Sequence, residues 1–220
     1  MNLTPLHAAA AAANELPTQW LLARSSGLVA YSLLTLAVIA GLTLRTRLLG
    51  RAVSPGIVTA VHRTLSLVGL GALALHVALI ALDSQVDVPL VSVLVPGMSG
   101  YRPLATSLGV VAMELWLIIH LSFRLRRHIG VKRWRSLHMA TFPTWGLAAA
   151  HGIFAGTDSS VGWTQQLYAW SIALVLFLVV IRGGSRAAAR PRRVDAAPSP
   201  TPTPTPSPSP THLSDATRAA

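Results

Sequence analysis

The chain has 220 residues, of which 52% are hydrophobic and only 11% are charged. Soluble domains normally carry about 25% charged residues, so this composition, concentrated in long apolar runs, predicts an integral membrane protein. The absence of cysteine excludes disulfides, thiolate metal sites and cysteine-held iron–sulfur clusters.

Five apolar runs are long enough to cross a hydrocarbon core of about 30 Å. In chain order they lie at Gly27–Leu44, Gly56–Leu82, Leu104–Phe123, Trp134–Ala155 and Trp163–Ile181. We therefore predict an all-α fold, an integral membrane helical bundle of five transmembrane helices, or six if the N-terminal segment also lies on the membrane. Residues 183–220 contain alternating proline, serine and threonine, and are predicted to form a disordered tail.

Basic residues alternate from loop to loop, which accounts for the net charge of +11. The third connection, RLRRHIGVKRWR, carries six arginines and lysines and no acid, and basic residues also follow the first and last spans. The positive-inside rule then predicts a multi-pass protein of the cell (inner or plasma) membrane with residues 1–19 outside and a cytoplasmic tail. These residues are expected to contact anionic lipid, and no nucleic-acid partner is predicted.

Four of the eight histidines fall inside two of the predicted spans. His62 and His76 are spaced i, i+14 in the second span, and His138 and His151 are spaced i, i+13 in the fourth. Both spans run in the same direction, so each of the two helices offers one imidazole at each of two depths. At a rise of about 1.5 Å per residue, the two depths are about 20 Å apart.

The helical phase supports one of these spacings better than the other. Fourteen steps of about 100° return close to the starting face, so His62 and His76 share a side of their helix. Thirteen steps leave His138 and His151 roughly 140° apart on an ideal helix. Pro143 lies between them and permits a kink or a change of winding that re-aims His151 towards His76.

Ionisable groups inside a membrane are costly and rare, so two matched pairs favour the ligation of a cofactor over packing. Two opposed neutral imidazoles are the axial ligands that a haem iron takes. Three other interpretations stay open: histidines that bridge helices, a proton-coupled transporter using Glu114 as part of a relay, and a passive haem-holding assembly partner. His120 is the alternative ligand nearer the cytoplasm.

The two segments HRTLSLVGLGALALH and HMATFPTWGLAAAH, together with WLLARSSGLVAYSLL, YRPL and HGIFAGTDS, resemble the ferric reductase-like transmembrane domain family over about residues 20–182. That family includes ferric reductases, the membrane half of NADPH oxidases and the haem-binding subunit of a methionine sulfoxide reductase system. The resemblance implies a membrane oxidoreductase component that carries electrons across the bilayer. It implies two b-type haems, with His62 and His138 as axial iron ligands of one and His76 and His151 of the other.

The sequence after Ile181 has no GxGxxG loop and no βαβ pattern, so no flavin or NAD(P)H site is expected in this chain. The electron donor is then predicted to be a separate flavoprotein or a quinol, and the acceptor an extracytoplasmic redox partner, ferric iron or oxygen. Arg63 is a candidate for pairing with a haem propionate, or alternatively a topology anchor. Arg24, Tyr101 and Arg102 have the same two interpretations at the outer face.

Overall fold

A computed structural model describes residues 18–46, 53–82, 89–157 and 159–188. In these residues the chain forms helices and no strand. The helices are α1 (Thr18–Thr46), α2 (Pro55–Ala81), α3 (Leu90–Leu94), α4 (Pro103–Ile129), α5 (Val131–His138), α6 (Thr141–Ala155) and α7 (Gly162–Ala188).

Four helices in the described part of the chain, α1, α2, α4 and α7, are long and apolar enough to cross a membrane. The predicted all-α membrane bundle is confirmed, although the long helices number four rather than five. Only 6% of the most apolar stretch of α2 is buried within the protein. Its exposed leucines and valines therefore require lipid around them, because water would leave this surface unfavourably solvated.

The predicted fourth span is divided into α5 and α6 by a turn at Met139 and Ala140. Pro143 accounts for the division, since it has no N–H to donate and its ring crowds the carbonyl of the residue four positions earlier, Met139. The chain passes through the turn with shorter-range bonds, in which Ala140 N–H donates to Leu137 (2.9 Å) and Phe142 N–H to Met139 (3.2 Å). Such a turn winds more tightly than an α-helix and changes the direction of the side chains beyond it.

The last helix extends further than the apolar run, because α7 continues to Ala188, beyond residue 183 where the tail was predicted to begin. Alanine and arginine sustain a helix, and the next proline comes only at Pro191. The predictions for residues 1–17, for the arginines that follow α1 and for the proline-rich segment lie outside the described residues.

Helix α1 is the centre of the bundle and packs against α2, α6 and α7, while α4 packs along α6. The core between them includes Leu42 and Val175, each 1% exposed. Two buried polar contacts connect the helices: the hydroxyls of Tyr31 and Ser171 lie 2.6 Å apart, and the Trp145 indole donates to Thr35 (3.0 Å). In an apolar medium, such bonds fix the rotation of one helix against the next.

Candidate functional site

The four histidines of the second and fourth predicted spans fall into two pairs, each formed by one residue of α2 and one from the α5–α6 region. The imidazole centroids of His62 and His138 lie 6.1 Å apart, with ring planes inclined at 73°. His76 and His151 both line a cavity of about 400 Å³. We call these pairs the His62 level and the His76 level.

Three of the four imidazoles are oriented by the same contact with a neighbouring helix. Each donates from Nδ1 to a backbone carbonyl: His62 to Ala37 (2.7 Å), His76 to Ala23 (2.6 Å) and His151 to Ala105 (2.8 Å). A carbonyl oxygen can only accept a hydrogen bond, so Nδ1 carries the proton in all three rings. The opposite nitrogen, Nε2, is then left with a lone pair that can bind a metal.

The carbonyls that receive these bonds follow the spacing of the histidines. Ala23 and Ala37 of α1 are spaced i, i+14, as are His62 and His76 of α2. The two helices run antiparallel, so His76 meets Ala23 near one end and His62 meets Ala37 near the other. Sequence reasoning missed this partnership, although its signal is present as two Ala-x-x-x-Gly segments, at positions 23–27 and 37–41.

His138 has a different environment from the other three. Its ring stacks on the indole of Trp134, with centroids 5.1 Å apart and planes inclined at 24°. The Arg126 guanidinium lies 4.9 Å from the centroid of the same indole, and Phe123 meets the indole edge at 5.9 Å. The stack on Trp134 thus connects His138 to α5 and to the basic end of α4.

Small side chains widen the cavity at the His76 level. Those that line it come from α1, α4 and α6 and include Gly27, Ala30, Gly109, Ala112, Ala148 and Gly152. Gly69 and Gly71 of α2 are not among the residues that line it. Gly69 instead lies against Trp116 of α4, seven positions from each histidine of α2, so this indole occupies the layer between the two levels.

The residues predicted to pair with haem propionates lie in different parts of the structure. Arg24 and Tyr101 line the rim of the cavity. Arg102 donates to the carbonyl of Phe154 (2.6 Å), which connects the start of α4 to the end of α6. Arg63 is exposed beside His62 on α2.

Glu114 and His120 are both partly buried on α4. Neither residue lines the cavity at the His76 level. Within the described ranges, the structure shows no ring contact between His120 and the His62–His138 pair, which form their ring contact with each other. The alternative roles of Glu114 and His120 stay predictions.

The histidines are arranged for pairwise rather than clustered binding. Across the described residues, no three side chains of His, Asp or Glu converge in the manner of a metal ion held by protein ligands alone. Comparison with known proteins adds no relative, since no protein-family model, curated protein or solved structure matches the chain. The geometry of the two histidine levels is therefore the evidence for function.

Proposed function

We propose that this protein is a membrane b-type cytochrome that carries electrons across the bilayer through two haems, one at each histidine level. The observation that carries the proposal is the pairing of imidazoles at two depths, with the Nδ1 protons of His62, His76 and His151 fixed by backbone carbonyls. Histidines that bind metals nearly always donate their other ring N–H to a carbonyl or carboxylate. His62, His76 and His151 have that arrangement before any metal is considered.

The spacing at the His62 level fits a metal held between two rings. A metal–imidazole bond is about 2 Å, and the ring centroid lies about 1 Å beyond the bonded nitrogen. The 6.1 Å between the ring centroids of His62 and His138 would therefore leave room for one metal ion between the two rings.

The cavity at the His76 level is suited to the macrocycle of a haem. Its volume of about 400 Å³ lies within the usual range of cofactor sites, about 300–1,000 Å³. The alanines on its walls, Ala30, Ala112 and Ala148, keep the side chains there short, and His76 and His151 line the cavity from different helices. Arg24 lines the cavity and supplies a cation suited to haem carboxylates, whereas the Tyr101 hydroxyl donates to the Ala155 carbonyl (3.3 Å).

When bound, haem supplies one-electron chemistry, because its iron alternates between ferric and ferrous states. The chain would contribute the four imidazoles that hold the group, the carbonyls that orient three of them and an apolar core between the levels. The electron donor is proposed to be a separate flavoprotein or a quinol at the His62 level. The acceptor would lie beyond the His76 level and would be an extracytoplasmic redox protein, ferric iron or oxygen.

The orientation follows from charge. Arg124, Arg127, Lys132, Arg133 and Arg135 are exposed at the end of the bundle that carries the His62 level. By the positive-inside rule this end is cytoplasmic in the inner or plasma membrane. The electron path would then run from the cytoplasm outward.

Spectroscopy of the detergent-purified protein tests haem binding directly. Expressed with a haem precursor, the chain should show a reversible b-type difference spectrum and two haems per chain in a pyridine haemochromogen assay. Proteoliposomes with ferricyanide inside and dithionite outside then test conduction. The wild type should bleach the internal ferricyanide, whereas H76A should not. A protein without a reducible haem spectrum would refute the proposal.

A further inference from the structure

A glycine accompanies each carbonyl that orients a histidine, and it always lies four positions further along the helix. Gly27 follows Ala23, Gly41 follows Ala37, and Gly109 follows Ala105. The three histidine rings lie directly against these glycines. A Cβ atom built at position 27 would be 2.9 Å from His76 Nδ1, and one at position 109 would be 2.6 Å from His151 Nδ1.

Helix geometry explains why the glycine stands at the fourth position. The Cα–Cβ bond of a helical residue tilts towards the N-terminus, so a side chain covers the turn that precedes it. A Cβ at position i+4 therefore shields the carbonyl of residue i from the side. Without that Cβ, the carbonyl keeps its helical bond and also accepts a second one from an imidazole.

We infer that Gly27 and Gly109 are positioning residues for the haem ligands His76 and His151, and that position 41 must stay small to admit the ring of His62. Gly27 and Gly109 each uncover one carbonyl, which holds Nδ1 protonated and leaves Nε2 available to the metal. This inference rests on the proposed haem function, which it deepens by naming the residues that set the ligand geometry. It also distinguishes these glycines from Gly71 and Gly146, at which an added Cβ would meet nothing within 4 Å.

The three positions differ in how much room they leave. At position 41 the nearest atom to an added Cβ is His62 Cε1 at 3.5 Å, an ordinary van der Waals distance. A methyl group is therefore tolerated there, whereas a larger side chain is not. The expected order of sensitivity to alanine is Gly109, then Gly27, then Gly41.

The fourth histidine has no equivalent glycine at the corresponding place. His138 lies 13 positions before His151. On the antiparallel helix α4 the matching position lies 13 residues after Gly109 and is occupied by Ser122. Ser122 is buried and its hydroxyl donates to Ile119 (2.6 Å). Among the described residues, both imidazoles of the His76 level thus lie against a glycine, and at the His62 level one imidazole does.

Haem counting in alanine variants tests the inference, with G71A and G146A as matched controls. G27A and G109A should each fall from two haems per chain to one, and G41A should keep both, whereas G41L should lose the haem of the His62 level. Both control variants should keep two. If G27A and G109A retain two haems with wild-type spectra and midpoint potentials, the inference is wrong and the cytochrome proposal stands. A haem-free wild type would instead remove the proposed function.

A second measurement separates ligand positioning from general helix packing. In an H76A background, the ring that the new methyl group would meet is absent. G27A should therefore lower the midpoint of thermal unfolding in the wild-type background and leave it within error in the H76A background. An equal loss in both backgrounds would show that Gly27 serves packing alone and would overturn its assignment.

Discussion

Double substitutions of the histidines provide the most discriminating test of the two-level arrangement. The i, i+14 spacing on α2 separates the levels by about 20 Å along the axis, and substitutions more than about 10 Å apart usually act independently. Under the proposed function both imidazoles of one level would hold the same haem, so removing the second ligand after the first should add nothing. Substitutions at different levels should instead sum.

The expected stoichiometry follows from this geometry. H76A, H151A and the H76A/H151A double variant should each bind one haem per chain, half of the wild-type value. A double variant that removes one ligand from each level, H62A/H76A, should bind none. H128A provides the control, because His128 is exposed in the last turn of α4 and belongs to neither pair.

The assay is the haemochromogen absorbance per mole of purified protein, with reduced-minus-oxidised spectra to identify the haem that remains. The pairing would be refuted if H76A/H151A bound fewer haems than either single variant. It would equally be refuted if H62A/H76A kept one haem, because that result would place both histidines on the same group.

Three further predictions concern the scaffold. P143A restores the N–H that α6 lacks, so α5 and α6 should join into one helix and turn the two levels out of alignment. The haem content should then fall from two to one per chain. An unchanged haem content would contradict the role assigned to the turn. In G152A the new methyl group meets the Tyr168 hydroxyl, which should cost about 1–3 kcal/mol in denaturant unfolding. Adding Y168F should recover only part of this loss, because the ring carbon Cζ would still lie 2.8 Å from the methyl group, and no recovery at all would mean that the hydroxyl contact is not a cause. Y31F removes the 2.6 Å contact with Ser171 and should lower the free energy of unfolding by about 1 kcal/mol, whereas no loss would mean that this bond does not stabilise the packing of α1 against α7.

Much of the architecture follows from short-range properties of the sequence. The apolar runs are long enough to predict membrane helices, and four of the five predicted spans are single long helices in the structure. The i, i+14 and i, i+13 spacings, with a parallel direction for both helices, predict two depths of histidine without knowledge of any contact. Hydropathy and helical rise are local quantities, so a single sequence is sufficient for both.

Tertiary structure decided what each imidazole contacts, because a hydrogen bond depends on the distance and rotation between helices far apart in the chain. The carbonyls of Ala23, Ala37 and Ala105 become partners only when α1 lies antiparallel to α2 and α4 packs along α6. The turn before Pro143 likewise determines where α6 presents His151, which helical phase alone left unresolved. The sequence thus determined the relative depth of the histidines, because depth depends on residue spacing along one helix. Packing determined the orientation of their rings, because orientation depends on contacts between two helices.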